Sequence, residues 1–343
     1  MATKKTGPFT VMMAGCGGRS HSHFETLVAH PETWTVTGLI DPSAESRAKV
    51  KARFPKLAQA GEFATLAEAL KTSVPAVVFI SSASGFHYAL SKEALAAGCH
   101  VICEKPLTFE VKEAQDLVKR AAKAKRRLFV THNYRHMPAT LALQAAVAEN
   151  HLGRIGAFSI RFHRRRDPIA AYSIAEPAPL LWIQAIHQLD MMRAVFGEVA
   201  TVSAVLANPA WSPYKHETVV RATFKMKSGV IGSYEGSYRA FGRQTPYDGE
   251  WRVECEQGDL LLFCGVNGLV EERLPEDGAA RHATEQRPVP MPPSDPQTRM
   301  IQGIAEALRT GKAFCTEAAD NVKTLRLIEA ILESGRTNKV VVA

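Results

Sequence analysis

Glu104-Lys105-Pro106 follows directly on a short apolar run, Val101 to Cys103, and that placement gives the lysine a chemical use. A strand that ends in charged residues delivers them to the carboxyl edge of its sheet, where open parallel sheets bind their ligands. A lysine there is partly desolvated, which lowers its pKa and suits it to donating or relaying a proton. Pro106 has no N–H and confines Lys105 to extended geometry, so the side chain is aimed and no helix starts. Taken alone, the tripeptide is more simply a solvated turn; the residues upstream change its meaning.

Those residues form a phosphate-binding pattern. The apolar run Phe9 to Ala14 ends in Gly15-Cys16-Gly17-Gly18-Arg19-Ser20, a helix-like stretch runs from His21 to Ala29, and a strand from Trp34 to Ile40 ends in Asp41-Pro42. The glycines permit a tight turn and close approach of a pyrophosphate to the backbone. The helix start offers unpaired N–H groups and a positive dipole end. Asp41, 23 residues past Gly18, is placed to accept from a ribose 2′-hydroxyl and to repel a 2′-phosphate, which favours NAD over NADP. Ser20 stands where a third Gly or Ala is usual, and Arg19 and Arg47 could help hold a phosphate.

A third set lies downstream, in the helix-like stretch from Pro179 to Phe196, which carries His187 and Asp190. An imidazole titrates near neutrality and serves as base in one direction and acid in the other. Standing alone, His187 reads as a buried, hydrogen-bonded helix histidine, and Asp190 as a residue that stabilises this helix or its neighbours.

The elements that must position these groups alternate. Helices are expected over Ala44–Arg53 and Leu66–Lys71, a strand over Ala76–Ile80 ending in Ser81-Ser82, the Glu-Lys-Pro strand, a helix over Val111–Ala124, and a strand over Arg127–Thr131 leading to His132-Asn133-Tyr134-Arg135. Such alternation predicts a doubly wound parallel sheet. Ser81 and Ser82 are suited to lining a cofactor crevice; His87, opening the next helix, either faces that crevice or is a polar residue near a helix start. After a helix over Ala139–Glu149, strand-like runs dominate from Ile155–His163 to Leu269–Glu272, a mostly antiparallel sheet. A proline-rich connector, Pro288 to Pro296, precedes two closing helices, Gln297–Arg309 and Glu317–Ser334. The expected division is a dinucleotide-binding domain over 1–132, an α/β domain for substrate and oligomerisation over 133–297, and closing helices over 298–343 that pack back on the first.

Composition narrows the partners. At 343 residues the chain is too long for one ordinary core. No apolar run approaches the roughly 20 residues that span a bilayer, and the polar start Met1 to Pro8 lacks a signal-peptide core, so a cytoplasmic protein is expected. The cysteines at 16, 99, 103, 255, 264 and 315 show no metal-binding spacing, and reduced thiols with no metal site are expected. The formal charge of +8 is largely local, in Lys119 to Arg127 and Arg164 to Arg166, with no nucleic-acid motif beside it. An anionic cofactor or substrate is the more economical partner.

Taken together, Gly15-Cys16-Gly17-Gly18-Arg19, Asp41-Pro42, His87, Glu104-Lys105-Pro106, Asn133-Tyr134-Arg135 and His187-x-x-Asp190 fall in an order and spacing that resembles the Gfo/Idh/MocA oxidoreductases, named for glucose–fructose oxidoreductase and inositol dehydrogenase. The resemblance implies a Rossmann domain followed by an α/β domain with a large open sheet, often an oligomer interface, so a dimer or tetramer is expected. It implies a nicotinamide cofactor, a sugar, polyol or sugar-derivative substrate, and Lys105 and His187 beside the reacting hydroxyl. One position departs from the family's helix pattern Asp-x-Gly-x-His-x-x-Asp: Ile183 stands where its first acid would be. Four residues make one helical turn, so 183 and 187 are expected on one face, and isoleucine cannot take a proton. Either Lys105 and His187 suffice, or Gln184 or Tyr134 substitutes for part of the missing group.

Three functions follow: alcohol–ketone interconversion on a carbohydrate; transient oxidation of a sugar by retained NAD with elimination of its substituent; or non-catalytic NAD sensing. Tyr134, Arg135, Arg164, Trp182, Gln184 and Asp190 are the expected substrate contacts. Trp182 either stacks on a sugar ring or fills the core. Arg164-Arg165-Arg166 either turn inward, which suits an acidic or phosphate-bearing sugar, or protect a solvated edge strand by charge.

Overall fold

The computed structural model describes residues 7–168, 171–273 and 284–343, with the side chains of 171 and 172 excluded. Two compact units emerge, 1–133 with 295–323 and 134–294 with 324–343, so the closing segment 298–343 is shared between them.

The first unit is built on six strands: β1 (Phe9–Ala14), β2 (Trp34–Ile40), β3 (Gly61–Phe63), β4 (Val77–Ile80), β5 (His100–Cys103) and β6 (Leu128–Val130). They pair in parallel in the order β3-β2-β1-β4-β5-β6. The order reverses at β1, which lies between β2 and β4, and such a switch point opens a crevice at the strands' carboxyl ends. Helices α1 (Ser20–Ala29), α2 (Ala44–Arg53), α3 (Leu66–Thr72), α4 (His87–Ala96) and α5 (Val111–Ala124) connect the strands. All four β4 residues are buried, as expected of a strand covered on both faces. Local chemistry sets the helix ends. Ser43 caps α2 by accepting from the Ser46 N–H, and Thr65 and Glu68 close a capping box on α3. Met300, Ile301 and Ile304, from α8 (Pro296–Thr310), join Val11, Phe24 and Phe79 in one core.

The second unit begins with α6 (Pro138–Glu149) and holds a nine-stranded sheet. Its strands are β7 (Ile155–His163), β8 (Val199–Ala207), β9 (Val219–Met226), β10 (Ile231–Ser237), β11 (Glu250–Cys255), β12 (Gly258–Leu262), β13 (Leu269–Arg273), β14 (Glu285–Pro288) and β15 (Val341–Val342). In β9 every second residue is buried, the period-two pattern of a sheet with one covered face. The expected run of hairpins has one exception: β7 pairs in parallel with β10 and antiparallel with β11, which puts it in the middle of the sheet. A charged edge strand is therefore the wrong account of the arginines after β7.

The helix carrying His187 also differs from a plain α-helix. Leu180–Ala185 is π-helical and runs into α7 (Ile186–Phe196). With i→i+5 bonding, four residues no longer complete a turn, so the expected shared face of Ile183 and His187 does not follow. The last helix, α9 (Ala318–Thr337), reaches three residues beyond the expected Ser334.

Candidate active site

Two clusters of functional side chains emerge, one in each unit. In the first, Gly15 leaves β1 at φ +103°, and a Cβ placed there would lie 2.5 Å from the Ser81 carbonyl carbon and oxygen and from the Ser82 nitrogen. Only glycine lets the β1 and β4 ends approach so closely. Gly17 and Gly18 are the opposite case, since a Cβ on either meets nothing within 4 Å. Helix α1 starts just beyond them with no side-chain cap. The Asp41 carboxylate, at the end of β2, accepts from the N–H groups of Cys16 (2.9 Å) and Ser43 (2.9 Å). This ties the glycine loop to β2 while leaving acceptor capacity on both oxygens. Burial pushes the Cys16 thiol up to about 12, with the Asp41 charge adding to it, so Cys16 is an inert thiol in the loop.

Glu104 is the hub of this cluster. It is buried, and accepts from Arg19 Nε (2.8 Å), His23 Nε2 (2.7 Å) and its neighbour's backbone, Lys105 N–H (3.1 Å). The Gln297 amide meets His23 Nδ1, and burial lowers the His23 pKa below its ordinary value, which favours the neutral ring. Burial alone would push the Glu104 carboxyl up, but His23 and Arg19 hold it well below the usual carboxylate range. Lys105 is half-buried and its peptide bond to Pro106 is cis. His87 meets the Pro106 carbonyl through Nδ1 (2.7 Å) and the Ser82 carbonyl through Nε2 (3.1 Å). It thereby joins the turns after β4 and β5.

In the second unit, His187 is buried near the start of α7, with its ring stacked on Tyr134 at 4.0 Å and 15°. The side-chain amides of Gln184 (3.0 Å) and Gln188 (2.6 Å) both donate to the Tyr247 carbonyl. Two other expected substrate contacts are bound to one another: Arg135 grips Asp190 in a bidentate pair at 2.6 and 2.8 Å. Thr324 also donates to Asp190 (2.8 Å), and Arg193, 3.6 Å away, pairs with Glu198. At 8% and 1% exposure, Arg135 and Asp190 form a buried ion pair, with Asp190 on the helix of His187. Trp182 is buried as well.

The comparisons with known proteins fit both units. Residues 9–132 match the GFO_IDH_MocA oxidoreductase family with its NAD-binding Rossmann fold, and residues 140–261 match a GFO/IDH/MocA C-terminal domain. The chain belongs to the Gfo/Idh/MocA oxidoreductase family. Among its relatives, scyllo-inositol 2-dehydrogenase (NADP(+)) of Bacillus subtilis is 27% identical over 79% of this chain and 80% of its own. D-apiose dehydrogenase of Paraburkholderia graminis is 28% identical over 77% and 72%. An oxidoreductase from Agrobacterium radiobacter, solved in complex with NAD+, L-tartaric acid and magnesium, shares the fold at a TM-score of 0.86, with 20% identity over 97% of this chain and 98% of that one.

The family's cofactor fits the residues present. The empty space over Gly17 and Gly18, the uncapped start of α1 and the Asp41 carboxylate follow one another along the β1 and β2 ends. Asn133, just past β6, keeps a buried Oδ1 with no hydrogen-bond partner. Among the described residues there is no group of three or more His, Cys, Asp or Glu that could hold a metal, and no helix long and apolar enough to cross a membrane.

Against the family's helix pattern, Ile183 remains the departure. Gln184 stands beside it, but its amide is already engaged by Tyr247. Sequence reasoning missed Gln188 and Tyr247, which no local motif marks. Burial pushes the Asp248 carboxyl up to about 6.

Proposed function

We propose that this protein is an NAD-dependent dehydrogenase or reductase acting on a CH–OH group of a sugar, polyol or sugar derivative, with Lys105 and His187 in proton transfer. Membership in an oxidoreductase family together with Glu104-Lys105-Pro106 and the α7 histidine carries this reading. Relatives named for inositol and apiose oxidation support a carbohydrate substrate. The bound nicotinamide supplies the hydride acceptor or donor. Gly15, Cys16, Gly17, Gly18, Arg19 and Ser20 cradle the pyrophosphate with backbone N–H groups and the α1 dipole. Asp41 and Pro42 face the adenosine ribose, where the carboxylate favours NAD. Ser81, Ser82 and Asn133 line the crevice further along the strand ends.

Lys105 holds or relays the proton of the substrate hydroxyl. Its backbone is fixed by Glu104, which Arg19 and His23 hold ionised. His187 takes that proton in oxidation and returns it in reduction, as suits an imidazole near neutral pH. Stacking on Tyr134 fixes the ring plane, and Ile183 takes no part.

The test is to screen the purified protein against sugars, polyols and uronates with NAD and NADP, following the reduced-nicotinamide absorbance. Lys105→Ala and His187→Ala are each expected to lower turnover by well over tenfold, the usual scale for a proton-transfer group, with NADH binding kept. Wild-type turnover in either variant removes the mechanism. Product formed without net NADH would point to transient oxidation and elimination.

A further inference from the structure

The arginine triplet after β7 forms one wall of a cavity of about 310 Å³ in the second unit, together with Asp167, Tyr238 and Tyr247. Its backbone continues β7 alongside the end of β10. The Arg164 N–H donates to the Ser237 carbonyl (2.9 Å), the Arg166 N–H to the Tyr238 carbonyl (2.9 Å), and Arg165 bridges Arg239. In extended chain, alternate residues point to opposite sides, and here the alternation separates two kinds of arginine. Arg165 pairs with Asp167 (3.2 Å), which also takes Arg239 (3.0 Å), and both guanidinium groups lie over Phe241. On the other side Arg164 lies 4.0 Å from the Tyr247 ring centre and Arg166 5.5 Å from that of Tyr238. No carboxylate among the described residues comes within ion-pair distance of either.

Two half-buried guanidinium groups, held against aromatic rings with Asp167 in the same cavity but beyond ion-pair distance, lose part of their hydration and recover it best from a ligand anion. The cavity is large enough for a small molecule. It also adjoins the helix of His187, because the Tyr247 whose ring backs Arg164 gives its carbonyl to Gln184 and Gln188. We propose that Arg164 and Arg166 form an anion subsite, so that the physiological substrate is a carbohydrate bearing a carboxylate or a phosphate. This rests on the dehydrogenase reading for its location, but not for its charge.

Calorimetry on the full-length, NADH-loaded protein tests it with neutral sugars (glucose, galactose), sugar acids (gluconate, galacturonate) and glucose 6-phosphate. One charged arm is expected to bind at least tenfold more tightly than its neutral counterpart, and the arm that does so identifies the group. Arg164→Gln and Arg166→Gln should each weaken that ligand by about 10- to 100-fold, the range for a hydrogen bond to a charged group, with NADH affinity unchanged. Arg164 also donates to the Thr245 carbonyl (2.6 Å), so Arg166→Gln and the salt dependence of the wild type are the cleaner readouts. Raising salt should weaken the charged arm and spare the neutral one. Equal binding of charged and neutral sugars, or no salt dependence, overturns the subsite. Charged-ligand binding that follows the arginines in a protein that oxidises no sugar would overturn the dehydrogenase reading alone. Turnover of neutral sugars without charge preference would overturn the subsite alone.

Discussion

Gly15 and Gly17 stand two residues apart in one loop, and the structure gives them different work. A methyl group on Gly15 would sit 2.5 Å from three backbone atoms of Ser81 and Ser82, at a φ of +103°. The forced backbone conformation costs about 1–3 kcal/mol and the overlap about 1–3 kcal/mol more. Gly15→Ala should therefore destabilise the first unit by roughly 2–6 kcal/mol, out of the roughly 5–15 kcal/mol that a domain has. Scanning calorimetry should show its melting point lowered by roughly 4–24 °C. A methyl on Gly17 meets nothing, so Gly17→Ala should hold stability within about 0.5 kcal/mol. It should nevertheless weaken NADH by tenfold or more in a fluorescence titration, because it displaces phosphate from charge-assisted N–H contacts. Wild-type NADH affinity in Gly17→Ala would mean that the open space is not the phosphate seat. A wild-type melting point in Gly15→Ala would refute the close approach of β1 and β4.

Two further outcomes follow from buried charge. Asp190→Asn leaves Arg135 and Arg193 without their shared anion and should cost about 3–5 kcal/mol in urea unfolding; an unchanged midpoint would mean the pair is dispensable. Acid should weaken the first unit in two stages. Burial holds the His23 pKa below the usual 6.5, so its contribution is complete above that value and lost as pH falls toward the folded-state pKa. Glu104, also depressed, contributes fully above the usual 4.5 and loses its share as pH falls through its folded value. Glu104→Gln should flatten the lower arm of the urea midpoint against pH, and a wild-type profile in that variant would contradict the hub.

Much of the first unit was legible because its signals are local. Glycine, proline and the acid after β2 mark strand ends within a few residues, and β2, α2 and α5 fall on the boundaries that periodicity predicted. The two- and three-residue strands β15 and β3 were not visible, because so short a stretch has no period and is defined by the strand it pairs with. The same limit hid Glu104's partners. Arg19 and His23 lie on α1 or beside it, 85 and 81 residues away in sequence.

By itself the sequence determined the alternating strands and helices of the doubly wound unit and the glycine turn after its first strand, since each is a residue type or period in a local setting; Lys105 and His187 it marked only as proposed proton-transfer groups. Tertiary structure alone decided that Arg135 and Asp190 neutralise each other, that the helix before His187 opens with a π-helical stretch, and that β7 runs through the middle of its sheet. Only then could Arg165 be separated from Arg164 and Arg166. Pairing, burial and counter-charge depend on which distant groups come together, and a run of three arginines carries no record of its neighbours.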